Sequence, residues 1–267
     1  MVYFACSYLY VKCNTGVWHT TLFMPQLIKE RSNIMSIHLD GQGWGDAVRE
    51  NIGAVLESVD CVFRPCFGSS MNMNNLLVLH SDDHPVTYSN HNVILLSAEN
   101  RFWCKYAYQF AHEYCHFQIG GNVPQQLRWF EESLCELASY FFLPRIGDLW
   151  KTNPPYPNWK DYAENFQEYS MLDQQKTTPF ELAFLDNPNI LAYLNQNEYD
   201  RPKNAYVAIK LRPVFEANPC LWSVVHLIKS IPKNLTFSES LRCWRDLSPE
   251  EFRKDISMIS QIFSIVL

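Results

Sequence analysis

The chain has no Cys-x-x-Cys pair, no second Glu-x-x-His, no run of lysine or arginine, and no repeated or low-complexity stretch. Each absence closes a route. Without paired cysteines there is neither a zinc finger nor the framework of a small disulfide-stapled domain. The nine cysteines are odd in number and scattered, several of them in apolar segments. There a thiol behaves as a small hydrophobe. That usage implies a reducing, cytoplasmic setting, in which the sequon Asn234-Leu-Thr carries no meaning. A net charge of −6 with no basic run argues against nucleic-acid binding. A lone Glu-x-x-His argues against a di-iron bundle, which needs two copies. The first 24 residues are apolar and aromatic, but they lack a cationic start and are interrupted by Lys12, Asn14 and His19. They read as neither a signal peptide nor a membrane span.

What remains is a globular composition, 47% hydrophobic and 19% charged over 267 residues, enough to bury a sizeable core. Residues 1–34 read either as an N-terminal appendage or as a first hairpin, with the compact domain starting near Met35. The stretch 46–58 has apolar residues at helical spacing. Strand-like runs follow in "VDCVFR", "NLLVLHS", "PVTYS" and "NVILLS", the last two joined by the turn "SNHN". From Glu99 helical spacing runs to Gln118 and stops at Gly120-Gly121. Pro124 opens a further helix that Pro144 closes. The rest reads as helical at 160–172, 178–196, 202–217 and 220–230, with a last helix opened by Ser248-Pro249-Glu250-Glu251. The expected class is α+β, strand-rich first and helical afterwards.

Inside the helix ending at Gly120 stands His112-Glu113-Tyr114-Cys115-His116, an H-E-x-x-H match. Residues four apart share a helix face, so two imidazoles can reach one metal ion while the glutamate approaches a water instead. With only eight histidines in the chain, such a match seldom arises by accident. "HSDDH", His80 to His84, also gathers imidazoles and carboxylates, but it reads as a polar turn.

A catalytic zinc takes three protein ligands and keeps one position open. The next helix contains "RWFEESLCELASYFF". Here the chain resembles the gluzincins, zinc metallopeptidases that include the thermolysin-like enzymes and related aminopeptidases. Their second helix carries a ligand glutamate within Trp-x-x-Glu-Gly-x-Ala, which Trp129-Phe130-Glu131-Glu132-Ser133-Leu134-Cys135 matches with Ser for Gly and Cys for Ala. The resemblance covers Phe110 to Phe142 well and the remainder only by the order of elements.

The resemblance implies one Zn2+ held by His112, His116 and Glu132, with residues 117–131 between the last two. It makes Glu113 the general base and Glu136, one turn beyond Glu132, the partner that orients a ligand histidine. Glu131 is the rival ligand, but it projects about 100° away around the helix. The implied fold is zincin-like: a small mixed N-terminal sheet and active-site helix within 35–147, then a mostly helical lobe at 148–267. Either Pro85–Ser89 or Val93–Ser97 would border the cleft and pair with an extended substrate. The oxyanion donor would come from the C-terminal half, with Tyr199 ranked ahead of Tyr206 and His226. "GSSMNMNN", Gly68 to Asn75, lacks the glutamate by which such aminopeptidases hold a substrate amine. The expected activity is hydrolysis of a peptide or protein substrate, with no nucleic-acid or membrane partner. Two alternatives stay open: a catalytically silent zincin scaffold used for binding, and a zinc hydrolase of a non-peptide amide.

Overall fold

The computed structural model describes residues 36–183 and 188–267, so the reading of 1–34 as an appendage lies outside the described residues. The class is α+β, a small sheet beside a larger helical body. The sheet has four strands: β1 (Ile37–Leu39), β2 (Leu76–His80), β3 (Val86–Tyr88) and β4 (Val93–Leu96). Their order is β1-β2-β4-β3. β1 and β2 pair in parallel, as do β2 and β4, whereas β3 runs antiparallel to β4. A 3-10 turn over Ser89–His91 and Asn92 in the left-handed region close the β3–β4 hairpin where "SNHN" predicted it.

α1 spans Arg49–Phe67 and corrects the reading of "VDCVFR" as a strand. The β-branched and aromatic residues of that run fall on the buried stripe Ile52, Val55, Leu56, Val59, Val62, Phe63 and Phe67, which has helical period. β1 had no counterpart in the sequence reading. It is three residues long, and only pairing with β2 defines it.

α2 (Trp103–Ile119) and α3 (Arg128–Thr152) lie side by side at the centre. α2 is buried almost all round, as expected for a helix enclosed by other elements. It starts four residues later than predicted, with Phe102 at the N-cap position, and ends at Gly120, whose N–H donates to His116 O at 2.9 Å. α3 does not stop at Pro144. A proline within a helix costs about 3 kcal/mol, yet beyond it Ile146 and Trp150 are fully buried. Arg145 lies 3.4 Å over the Phe141 ring and pairs with Glu216 at 2.6 Å. These contacts hold the second half of the helix in line. The division expected between residues 147 and 148 therefore falls inside α3.

Around this pair stand α4 (Ala163–Gln174), α5 (Pro188–Gln196), α6 (Arg201–Ala217), a 3-10 segment over Pro219–Ser230, α7 (Phe237–Leu247) and α8 (Glu250–Ile262). Residues 178–183 are not helical, although the sequence predicted a helix there. α7 was missed, despite a full capping box between Thr236 and Glu239. Gly147 is the point where α3 meets the start of α4: a Cβ at Gly147 would stand 2.7 Å from the Ala163 carbonyl oxygen. Cys61 and Cys220 are both disulfide-bonded, against the expectation of reduced thiols, while Cys66, Cys104, Cys115, Cys135 and Cys243 are free. Among the described residues, no helix is long and apolar enough to cross a membrane.

Candidate metal centre

α2 presents His112 and His116 one turn apart on the face that meets α3, with ring centroids 5.2 Å apart. From α3, Glu132 reaches between them. One carboxylate oxygen lies 3.3 Å from His112 Nε2, and the other lies 3.3 Å from His116 Nε2. Ligand atoms of these three residues all lie within 4.8 Å of one another. A tetrahedral zinc with bonds near 2.0–2.1 Å separates neighbouring ligand atoms by roughly 3.3 Å. The two imidazoles and one carboxylate could therefore hold a metal ion.

Each remaining ring nitrogen faces a carboxylate. His116 Nδ1 lies 2.9 Å from Glu131 Oε1 in a hydrogen bond. His112 Nδ1 lies 3.3 Å from Glu136 Oε2, at ion-pair distance but without hydrogen-bond geometry. Carboxylates behind both rings turn their Nε2 atoms towards Glu132. Glu131, the rival ligand in the sequence reading, thus stands behind His116 rather than beside Glu132.

The electrostatics reflect this crowding. Burial alone would lower the His112 pKa, but Glu132, Glu136 and Glu113 outweigh it and push it up to about 9. Burial is likewise overcome at His116, which Glu132 and Glu131 raise well above the usual imidazole value. Burial would raise Glu132, yet His116 and His112 hold its carboxyl far below the ordinary range. The centre has excess negative charge that a buried site must match with cations.

Behind Glu136 runs a second line of polar groups that the sequence did not reveal. The Tyr108 hydroxyl lies against Glu136 Oε1 and 2.8 Å from Asp173 Oδ2. Tyr140 donates to the same Asp173 oxygen at 3.1 Å. Burial and the nearby carboxylates hold the Tyr108 hydroxyl well above its usual pKa, so it remains protonated. Asp173 stays ionised: burial would raise it, but hydrogen bonds from Tyr108 and Lys176 lower it. The exposed Arg201 belongs to this field too, since burial is outweighed by Glu136, Tyr108, Asp173 and Glu113 in raising its pKa.

Glu113 is buried beside the two histidines. The Thr87 hydroxyl on β3 lies 2.8 Å from both the Glu113 carbonyl oxygen and its Oε2. One side chain thus fastens the edge of the sheet to the turn of α2 that carries Glu113. The sheet order also separates the two strands proposed to border the cleft. β4 is paired on both sides, by β2 and β3, whereas β3 pairs only with β4. Among the described strands, then, β3 and not β4 has an edge free for an added strand.

Tyr199 is 72% exposed on the turn between α5 and α6. The turn is tied to the start of α3 and to α6: Gln125 donates to Glu198 at 3.1 Å, Asn204 donates to Glu198 O at 2.8 Å, and Arg128 pairs with Glu198 at 3.5 Å. What burial Tyr199 has, with the charges of Glu198 and Glu132, raises its hydroxyl pKa. Tyr206 packs on Phe180 and His226 lines a separate cleft, so the structure does not bring either to Glu132. His80, the last residue of β2, packs edge-on against Trp44 and lies 3.4 Å from Asp82 in the bend that follows, and the described residues place no metal-ligand group there. Comparison with known protein families, with curated proteins and with solved structures finds no match for this chain.

Proposed function

We propose that the protein is a zinc-dependent hydrolase of peptide bonds, with a zincin-like arrangement of sheet edge and paired helices. One observation carries this reading: His112 Nε2 and His116 Nε2 converge on the two oxygens of Glu132, with Glu113 buried alongside. His112, His116 and Glu132 would hold one Zn2+, and Glu131 and Glu136 would fix the two rings from behind. Zinc in such a site supplies a Lewis acid for a carbonyl oxygen and lowers the pKa of water.

The chain's own groups supply the rest. Glu113 accepts a proton from the attacking water and passes it to the departing amine nitrogen. Thr87 holds one oxygen of that carboxylate, leaving the other to face the substrate. An extended peptide lies along the free edge of β3 by strand addition, which sets its carbonyl beside Glu113. Tyr199 closes over the carbonyl oxygen from the anchored turn and donates a hydrogen bond as negative charge develops there.

The test is zinc stoichiometry by elemental analysis, with a mixed-peptide cleavage assay, on wild type, His116→Ala, Glu132→Ala and Glu113→Gln. The reading requires one zinc and cleavage in wild type, metal loss in the two ligand variants, and retained metal without turnover in Glu113→Gln. A wild-type protein that takes up no zinc on reconstitution would overturn it.

A further inference from the structure

Past the end of β3 the sheet edge runs into a polar cleft of about 370 Å³. Its lining comes from separate elements: Asn72 before β2, Ser89 and Asn92 from the hairpin turn, Gln118 and Gly120 from the end of α2, and His226 and Lys229 from the 3-10 segment. The walls are fixed. Asn72 N–H donates to Gln118 Oε1 at 2.7 Å, and its side-chain amide donates to Phe117 O at 3.2 Å. Gly120 has a φ of 91°, and a Cβ there would stand 2.7 Å from Lys229 Nζ, so the missing side chain is what lets the ammonium settle over the mouth.

Charge separates this cleft from the metal centre. No carboxylate lines it, whereas Glu113, Glu131, Glu132 and Glu136 crowd around the two histidines. Among the described residues, no carboxylate lies at ion-pair distance from Lys229. In a chain of net charge −6, a cation without a carboxylate partner beside amides and hydroxyls selects for an anionic group.

The spacing connects the cleft to the substrate path. Thr87 stands level with Glu113, and Ser89 lies two residues further along, beside His116 O at 3.5 Å. Two residues of extended chain span roughly 7 Å. A peptide lying on β3 therefore delivers to the cleft a side chain two or three positions from the bond that faces Glu113.

We propose that the cleft between Ser89, Gln118, His226 and Lys229 is a specificity subsite that receives the carboxylate of an aspartate or glutamate in the bound peptide. This rests on the peptide-hydrolysis reading and names its substrate class. Cleavage-site profiling on a random peptide library should show wild type favouring Asp or Glu at one position two or three residues from the cleaved bond. In Lys229→Glu that preference should turn towards Lys or Arg, and KM for the acidic peptide should rise about tenfold, or about 1.4 kcal/mol. An unchanged positional preference in Lys229→Glu overturns the subsite.

A second arm does not depend on turnover. Zinc-loaded Glu113→Gln protein is titrated with a fluorescent acidic peptide and with its Gln counterpart, and anisotropy is followed. Tighter binding of the acidic peptide, abolished by adding Lys229→Glu, supports the subsite even if no peptide is ever cleaved. Equal affinity for the two peptides overturns it while leaving the zinc reading untouched.

Discussion

Two buried acidic clusters flank α2, and they differ in how they are completed. On the α1 side, Asp60 has both oxygens occupied: Arg64 Nε lies 2.6 Å from one, and the Tyr114 hydroxyl lies 2.7 Å from the other. One carboxylate meets one guanidinium and one phenol. On the α3 side, Glu131, Glu132 and Glu136 meet two imidazoles, with Glu113 beside them and Asp173 behind. There the lone pairs outnumber the fixed cations. The first cluster closes within the chain, which is what a structural ion pair requires. The second reaches balance by taking up protons on both histidines or by taking up a dication.

The sharpest way to break this contrast is at Glu113. Glu113→Gln should lower kcat by about 10²- to 10⁴-fold with zinc content unchanged. No substitution on the Asp60 side should reproduce that pattern in paired metal and activity assays. Next comes Tyr199→Phe, expected to cost about 10²-fold in kcat with little change in KM, as for loss of an oxyanion donor. A full-rate variant would remove Tyr199 from the reaction. Glu136→Gln should then weaken zinc about 10- to 100-fold in a competition titration with a chromogenic chelator. The matched Asp60→Asn should leave zinc affinity alone and instead cost about 1–3 kcal/mol in denaturant unfolding.

The smallest effect is on pH dependence, and its sign follows from the histidines. In the metal-free protein His112 is raised from 6.5 to about 9. Its contribution to stability is complete below pH 6.5 and is lost as pH rises through about 9. Glu132 is depressed below 4.5, so its contribution holds above that value and fails on further acidification. With chelator present, the melting temperature should fall between about pH 6.5 and about pH 9. With zinc bound the rings are neutral at all these values, and that alkaline fall should vanish. Parallel alkaline slopes with and without zinc would show that the two histidines do not bind it.

The sequence made the grouping of His112, His116, Glu132 and Glu136 legible because it follows helical arithmetic. His112 to His116 and Glu132 to Glu136 are four-residue steps, and each pair shares a face whatever surrounds it. What stayed hidden depends on how elements meet. The angle of Glu131 set it off from Glu132 as a rival ligand, but its place behind His116 needed the crossing of α2 and α3. Asp173 lies far along the chain from Tyr108, and only the docking of α4 joins them. The choice between β3 and β4 as the free edge turned on strand order, which alternation of residues does not encode. Local signals also misled where burial overrode them, at "VDCVFR" within α1 and at Pro144 within α3. Among the described residues, the disulfide-bonded Cys61 and Cys220 carried no spacing signature at all.

The close approach at Gly147 has a mechanical consequence. α4 begins at Ala163, whose carbonyl leaves no room for a methyl group at Gly147, and ten residues on the same rod carries Asp173. Over that length, about 15 Å, a helix transmits displacement with little bending. Widening the gap by a single methyl at one end would swing Asp173 away from Tyr108, loosen Tyr108 on Glu136, and let the His112 ring drift. The clearance between two helices, set far from any histidine, is thus a mechanical adjustment of how closely Glu136 backs the His112 ring.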